Sequence, residues 1–416
     1  MGRRPPLAPL EAHRALSPLT DGGRRAADGL GPLADAAPRE SSLGLYVHYP
    51  FCVTRCPFCS FVTSPLREGL KDRYLRALHR EIDLLAEAPW TTATVFATVF
   101  FGGGTPSLLE PAELARVLDA LRTRFTVGPD AEVTVECNPE SVSRARLEAY
   151  REAGVSRVSL GVQSLDDEIL RRLGRLHGAS GARAAFAAAR EAGVPQVSID
   201  LMYGLPGLDV AGWRRAVDEV LEWRPDHLSA YGLTLDQGSR WGAEGVPGLP
   251  PEDAVVAQYW TLARRAAARG YEHYEISNYA LPGCRSRHNQ LYWRRREYAA
   301  LGPGACGFLG RVRYANARST ERYCETLERG VLPVVEHEVL GDRQEASERL
   351  ILGLRTRDGV PEEWLGTRTA ADPDLAARLL AWREGELLEV AGGRARLTER
   401  GFLLSDALFV ELVQVC

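Results

Sequence analysis

From residue 43 to residue 231, short β-branched or aromatic runs alternate with amphipathic stretches, and this rhythm constrains the fold more than any other feature. The runs expected to form strands are 43–49, 94–101, 132–137, 157–160, 197–201 and 227–231. Between them, apolar residues recur at helical spacing over 72–86, 111–124, 144–153, 182–192 and 210–223. The pentapeptide Arg-Glu-Ala-Gly-Val closes two of these stretches, at 151–155 and 190–194, with glycine where a helix ends and the chain turns into the next strand. Strands joined by helical crossovers run parallel, so the expected class is α/β: a parallel part-barrel with its helices outside.

After about residue 238 the rhythm breaks. A Gly- and Pro-rich stretch at 240–251 precedes a helical one at 252–269 and an aromatic, polar one at 271–310. Residues 342–355 and 374–384 read as helices, and 385–409 reads as strand, Gly-Gly turn, strand and helix. We therefore expect a core over 43–238, an extension over 239–340 and a small winged-helix-like α+β domain over 341–416. Residues 1–42 are rich in Pro, Ala, Gly and Arg, as in a disordered tail or a start codon placed too early. They lack the apolar core of a secretory signal, and their five acids do not suit a mitochondrial leader.

Bulk properties narrow the chemistry. A net charge of −4 gives no footprint for nucleic acid. No apolar run approaches the ~18 residues of a membrane span, and nothing indicates peripheral membrane contact. Lys71 is the sole lysine, which argues against pyridoxal-phosphate chemistry. The eight cysteines lack the density of a disulfide framework, so a reducing, cytoplasmic setting is expected.

Three of those cysteines, Cys52, Cys56 and Cys59, fall in a C-x3-C-x2-C pattern directly after the first strand run. Three thiolates on one loop can ligate three irons of a [4Fe–4S] cubane. The fourth iron then lacks a protein ligand, and an open metal position is where chemistry occurs. The amino and carboxylate groups of S-adenosylmethionine (SAM) could chelate it. The competing readings are a zinc site, for which no second cysteine pair is evident, and three unrelated buried thiols.

Distinctive residues then stand at successive strand ends, where β/α barrels build their sites. They are Gly102-Gly103-Gly104-Thr105, Glu136-Cys137-Asn138, Gln163-Ser164 and Asp200 ahead of Tyr203-Gly204. Side-chain-free backbone at Gly103 and Gly104 can approach a ligand closely, although a glycine run is also an ordinary turn. Glu136 and Asp200 could bond ribose hydroxyls or an ammonium. Either acid alone reads equally as a helix cap or a surface charge.

The segments YVHYPFCVTRCPFCSF, VFFGGGTPSLL, SLGVQSLDDEILRRLGRLH, SIDLMYGLPG, YEHYEISNYA and HNQLYW together resemble the HemN/HemW branch of radical SAM proteins, along nearly all of 43–416. The resemblance implies a (β/α)6 part-barrel with a small C-terminal domain, and cluster ligands at Cys52, Cys56 and Cys59. It implies SAM contacts at Tyr46, Gly103, Gly104, Thr105, Glu136, Gln163, Arg175, Asp200 and, less directly aligned, Thr234. Within the branch, Phe61 stands where the coproporphyrinogen III dehydrogenases carry a fourth cysteine. Residues 1–42 do not resemble their N-terminal segment, and His288-Asn289-Gln290-Leu291-Tyr292-Trp293 matches the HNxxYW motif of HemW-type members.

The function this implies is a haem chaperone that binds haem and delivers it to haem-accepting proteins. The alternative is an oxygen-independent coproporphyrinogen III dehydrogenase-like enzyme acting on a tetrapyrrole. His288, with Tyr292 and Trp293 beside it, is the candidate haem ligand, since imidazole is a common axial ligand. On residue types alone it is an ordinary hydrogen-bonded histidine. Cys306 occupies a position where relatives usually carry histidine, and reads as a buried inert thiol or a soft replacement ligand.

Overall fold

The computed structural model describes residues 29–34 and 36–415. Six parallel strands form its centre: β1 (Ser42–Tyr49), β2 (Val95–Gly103), β3 (Thr126–Cys137), β4 (Arg157–Gln163), β5 (Gln196–Tyr203) and β6 (His227–Gly232). Each pairs with the next in chain order. β1 is buried on both faces from Leu43 onward, as parallel strands covered by helices must be. The crossovers are helices α1 (Glu68–Ala86), α2 (Pro111–Arg124), α3 (Arg144–Glu152), α4 (Asp167–Arg172), α5 (Ala179–Glu191) and α6 (Val210–Trp223). Their starts are chemically marked. Pro111 opens α2 within a Glu110/Glu113 capping box, and Asp209 caps α6 by accepting from the Gly212 amide at 2.6 Å.

Four of these strands run longer than their composition suggests, β2 and β3 for reasons that their pairing shows. β2 continues through Gly102 and Gly103 because these pair with His48 and Tyr49 of β1. The glycines are therefore strand, where a turn was the plainer expectation. β3 begins six residues before the expected 132, since Thr126 and Val127 pair with Val95 and Phe96 across a register shift. The intervening Gly-Pro-Asp-Ala carries no strand signal.

Residues beyond 238 extend both edges of this sheet. After helix α7 (Glu252–Ala268), β7 (Glu272–Glu275) and β8 (Asn278–Ala280) add antiparallel beyond β6. Helix α8 (Arg287–Trp293) then carries the chain to the opposite edge, where β9 (Tyr298–Leu301) pairs parallel with β1. β10 (Cys306–Leu309), β11 (Val312–Asn316) and β12 (Val334–Val339) follow antiparallel. The resulting twelve-stranded sheet reads β12-β11-β10-β9-β1-β2-β3-β4-β5-β6-β8-β7.

The C-terminal residues build a small α+β module. Val360–Pro361, Arg394–Leu397 and Leu388–Ala391 form a three-stranded sheet, packed with surrounding helices around Leu354, Leu379, Trp382, Leu397 and Phe402. Its core includes Tyr259 of α7. The module also joins the β7 edge through Arg357 N–H donating to the Tyr274 carbonyl at 3.0 Å. Among the described residues no helix is long and apolar enough to cross a membrane.

Part of the stretch expected to be a disordered tail is packed against the barrel. Leu30, Leu33 and Ala36 are buried in the main core. The Trp90 indole donates to the Leu33 carbonyl at 3.1 Å, and Arg39 N–H reaches the Glu297 carboxylate at 3.0 Å. Low-complexity composition conceals two leucines three residues apart, which bury on one side of a short 3-10 turn, Gly31–Leu33. Residues 1–28, the rest of that expectation, lie outside the described residues.

Candidate functional site

The cysteine loop follows β1 directly. Phe51–Cys52 pairs parallel with Ser64–Pro65, so the chain leaves and re-enters this short ribbon around one loop. Cys59 N–H donates to the Cys56 carbonyl at 3.1 Å and closes the turn between them. All three thiols are partly buried and none is in a disulfide. Burial pushes the Cys52 and Cys59 thiols up, Cys59 to about 11, and each is raised further by its neighbouring cysteines. The sulfurs are thus close enough to feel one another's charge. Among the described residues no three His, Cys, Asp or Glu side chains converge on one ion. A cubane does not ask for that: its three thiolates hold three different irons and stand apart.

Three strand ends close around the loop. Thr105 Oγ1 donates to Cys52 Sγ at 3.5 Å, and Arg175 Nη1 approaches Cys56 Sγ at 3.7 Å. Arg175 Nη2 donates to Asn138 Oδ1 at 2.7 Å and to the Gly161 carbonyl at 2.6 Å. Asn138 Nδ2 in turn reaches Thr105 Oγ1 at 3.4 Å. Arg175 Nε is buried without a hydrogen-bond partner among the described residues. A cleft of about 270 Å³ opens here, bordered by Cys56, Thr105, Asn138 and Arg175.

The glycines are required by proximity. Gly103 has φ +111°, and a Cβ there would lie 2.4 Å from the His48 ring. At Gly104 a Cβ would lie 2.7 Å from the Phe51 carbonyl oxygen. This lets the end of β2 press onto the cysteine loop, with the Gly104 and Thr105 amides donating to the Tyr49 and Phe51 carbonyls at 2.7 and 2.9 Å.

Below the glycines lie the two acids. The Glu136 carboxylate accepts from Gly103 N–H at 3.0 Å, and Asp200 accepts from Ser159 Oγ at 2.9 Å. Burial raises both, Glu136 to about 8 with help from the Asp200 charge, and Asp200 to about 6. Tyr46 bonds His48 Nδ1 at 3.0 Å, and His48 Nε2 is 2.8 Å from the Val62 carbonyl behind the cysteine loop. Gln163 ends β4 in the left-handed region, φ 65°, with its amide over Gly161 beside Arg175. Thr234 is half-buried two residues past β6, in a turn held by Leu233 N–H donating to the Tyr203 carbonyl at 2.9 Å.

Cys52, Cys56, Cys59, Tyr46, Gly103, Gly104, Thr105, Glu136, Gln163, Arg175, Asp200 and Thr234 therefore gather on the barrel interior and at the C-terminal strand ends. His48, Ser159, Ser229 and Tyr231 join them and were not singled out from the sequence. His48 was readable by alternation, since it shares a strand face with Tyr46. Ser229 bonds Asp200, and Tyr231, partly exposed at the end of β6, feels the charge of Asp200.

His288 lies toward the strand starts, its ring centre 6.5 Å from that of Tyr46. It lies on α8, which meets the barrel near the beginnings of β1 and β2, with Leu291 against Gly44. His288 is fully buried, its Nδ1 2.7 Å from Thr98 Oγ1 and its Nε2 2.8 Å from Tyr292 Oη. Its amide donates to Glu132 at 2.9 Å, and its ring stacks on Phe100 at 5.0 Å. Burial holds the imidazole down to about 3. Both ring nitrogens are hydrogen-bonded, the arrangement of an ordinary structural histidine, and a bond to haem iron would require one of these partners to give way. Cys306 is partly buried and 3.8 Å from the Gly304 carbonyl, near Tyr46 and Tyr292.

The chain is similar to known proteins along most of its length. The radical SAM superfamily model matches residues 46–220, and the HemN C-terminal domain model matches 340–404. Heme chaperone HemW of Mycobacterium tuberculosis is 40% identical over 371 residues, 88% of this chain and 93% of that protein. The chain belongs to the HemW family of radical SAM proteins. Heme chaperone HemW of Bacillus subtilis is 31% identical over 372 residues, covering 88% of this chain and 97% of that one. Among solved structures, coproporphyrinogen III oxidase (HemN) of Escherichia coli superposes with a TM-score of 0.81 over 92% of both chains at 23% identity, a likeness of fold.

Proposed function

We propose that this chain is a haem chaperone carrying a SAM-binding [4Fe–4S] cluster. The observation that carries this is the 40% identity to heme chaperone HemW along 88% of the chain. In this reading Cys52, Cys56 and Cys59 hold three irons. The donor set fits: burial disfavours the Cys52 and Cys59 thiolates, as a metal's charge would reverse, and Arg175 Nε is left unpartnered beside Cys56. When bound, the cluster supplies an electron to the sulfonium of SAM.

The chain's own residues do the rest. Thr105 and Arg175 direct N–H and O–H groups at the thiolates and lower their negative charge density. The glycines allow a ligand against the end of β2. Glu136 and Asp200, held close despite mutual repulsion, favour the cationic and hydroxyl groups of a nucleoside sulfonium. His48 orients Tyr46 on the barrel wall.

Anaerobic reconstitution tests the cluster: iron–sulfur absorbance should appear in wild type and vanish in Cys56→Ala. Haem titration, followed by transfer of bound haem to an apo-haemoprotein, tests the chaperone. Rapid turnover of coproporphyrinogen III by the reconstituted protein under strong reductant would instead make it a dehydrogenase.

A further inference from the structure

The ends of β3 and β4 part at the ligand site. Among the described residues their ladder stops at Cys137 and Leu160, and β4 then slips in register against β5 before Gln163. Two side chains from the segment after α4 take over as crossbars. Arg175 donates to Asn138 Oδ1 at 2.7 Å and to the Gly161 carbonyl at 2.6 Å. His177 makes the second crossing, its Nδ1 2.9 Å from Glu140 Oε2 and its Nε2 3.1 Å from the Val162 carbonyl oxygen. A carboxylate and a carbonyl only accept, so the ring serves each with an N–H. Burial raises the Glu140 carboxyl, but the bond from His177 leads the groups that bring it below its ordinary value. The segment bearing the ring is itself fixed. Arg175 N–H donates to the Leu170 carbonyl at 3.0 Å, and Ala179 N–H donates to Asp167 Oδ1 at 2.7 Å.

The Val162 carbonyl has a second task. Ser164 N–H donates to it at 2.8 Å, which closes a three-residue turn around Gln163 at φ 65°. That is the strained form of such a turn, and a side chain held there needs support from its surroundings. His177 binds the same oxygen and is only 5% exposed. The turn throws the Gln163 amide back over Gly161, where a Cβ would lie 3.1 Å from Gln163 Nε2 and 2.9 Å from Arg175 Nη2. The amide thus sits beside the guanidinium that borders the cleft at Cys56.

We infer that His177 is a positioning residue of the ligand site. It bolts β4 to the turn after β3 where the ladder has ended, and so holds Gln163 in the conformation that presents its amide to a bound nucleoside sulfonium. Phenylalanine would fill the same buried space, but it would hold neither the carbonyl nor the carboxylate. This rests on the SAM-binding reading of the site and adds to it the group that fixes Gln163.

The test is equilibrium binding of SAM to the full-length, cluster-reconstituted protein, with iron content and circular dichroism read on the same samples. His177→Phe should lose about tenfold in affinity with iron content unchanged. His177→Gln, whose amide can still donate to the Val162 carbonyl, should stay within about threefold of wild type. In a Gln163→Gly background no amide remains to be held and the turn is unstrained, so His177→Phe should cost less than about twofold. Wild-type affinity in His177→Phe overturns the inference. An equal loss in both backgrounds also overturns it, as the mark of a general structural role. If His177→Phe does not fold, Glu140→Ala takes its place in the same comparison, since it frees the ring from the turn after β3, and the same two outcomes decide. A wild type that assembles its cluster and binds no SAM removes the SAM reading, and this inference with it.

Discussion

The backbone amide of Gly103 donates to the carboxylate of Glu136 at 3.0 Å, tying the end of β2 to the end of β3. That single donor is the hydrogen bond offsetting a burial cost strong enough to lift Glu136 to about 8, with Asp200 raised to about 6. Both acids hold protons in the folded chain that the unfolded chain has released. Stability of the ligand-free protein should therefore fall as pH rises from the ordinary carboxylate range toward 8. Denaturation midpoints across pH 5 to 8 check this, and Glu136→Gln should flatten the slope. An equally steep slope in the variant would assign the effect to other groups. SAM, as a cation, should protect wild type more at pH 8 than at pH 6.

Gly103→Ala should destabilise the fold by about 1–3 kcal/mol, from forcing a side chain into a left-handed φ. The added methyl would also meet the His48 ring at 2.4 Å. His48 bridges Tyr46 and Val62, so the displacement passes to both the barrel wall and the cysteine loop. Chemical denaturation reads the stability loss. SAM binding, measured on the folded variant, should weaken further than stability alone explains.

Arg175→Lys should weaken SAM binding by about tenfold while the iron content stays near that of wild type. Two nitrogens of Arg175 serve three partners, Nη1 the Cys56 sulfur and Nη2 the Asn138 and Gly161 oxygens, while Nε is left unpartnered among the described residues. An ammonium cannot fan out over this geometry. Loss of iron together with SAM affinity would show that Arg175 acts on the cluster and has no separate part in holding the ligand.

The six parallel strands were legible because buried strands and amphipathic helices carry different periodicities, and the switches from one to the other fall near observed boundaries except at the start of β3. The cysteine loop and the strand-end residues were legible for a related reason: parallel topology brings all C-terminal strand ends together whatever their separation in sequence. Edge strands were not. β7 and β8 are short, and their side chains give no alternation long enough to detect. Gly102 and Gly103 read as a turn because strand propensity ignores the neighbour that holds them in register. Leu30 and Leu33 were lost in the composition around them. For His288, residue type alone favours a hydrogen-bonded structural imidazole and the family motif a ligand, and the partners at Thr98 and Tyr292 give the ligand-free fold the first arrangement.

That distinction yields the sharpest mutational contrast. Removing the His288 ring leaves the buried Thr98 Oγ1 and the partly buried Tyr292 Oη without their partner, and it strips a stacking face from Phe100. His288→Ala should cost about 2–4 kcal/mol from the cavity and the unpaired hydroxyls together. Because burial holds the imidazole down to about 3, the unfolded chain binds a proton first as pH drops below 6.5. Wild type should thus lose stability between pH 6.5 and 3, and the variant should lack that share of the loss. Haem uptake by the folded fraction should be unchanged. A variant of wild-type stability that takes up no haem would reverse the assignment, making the imidazole a ligand and α8 a helix that opens.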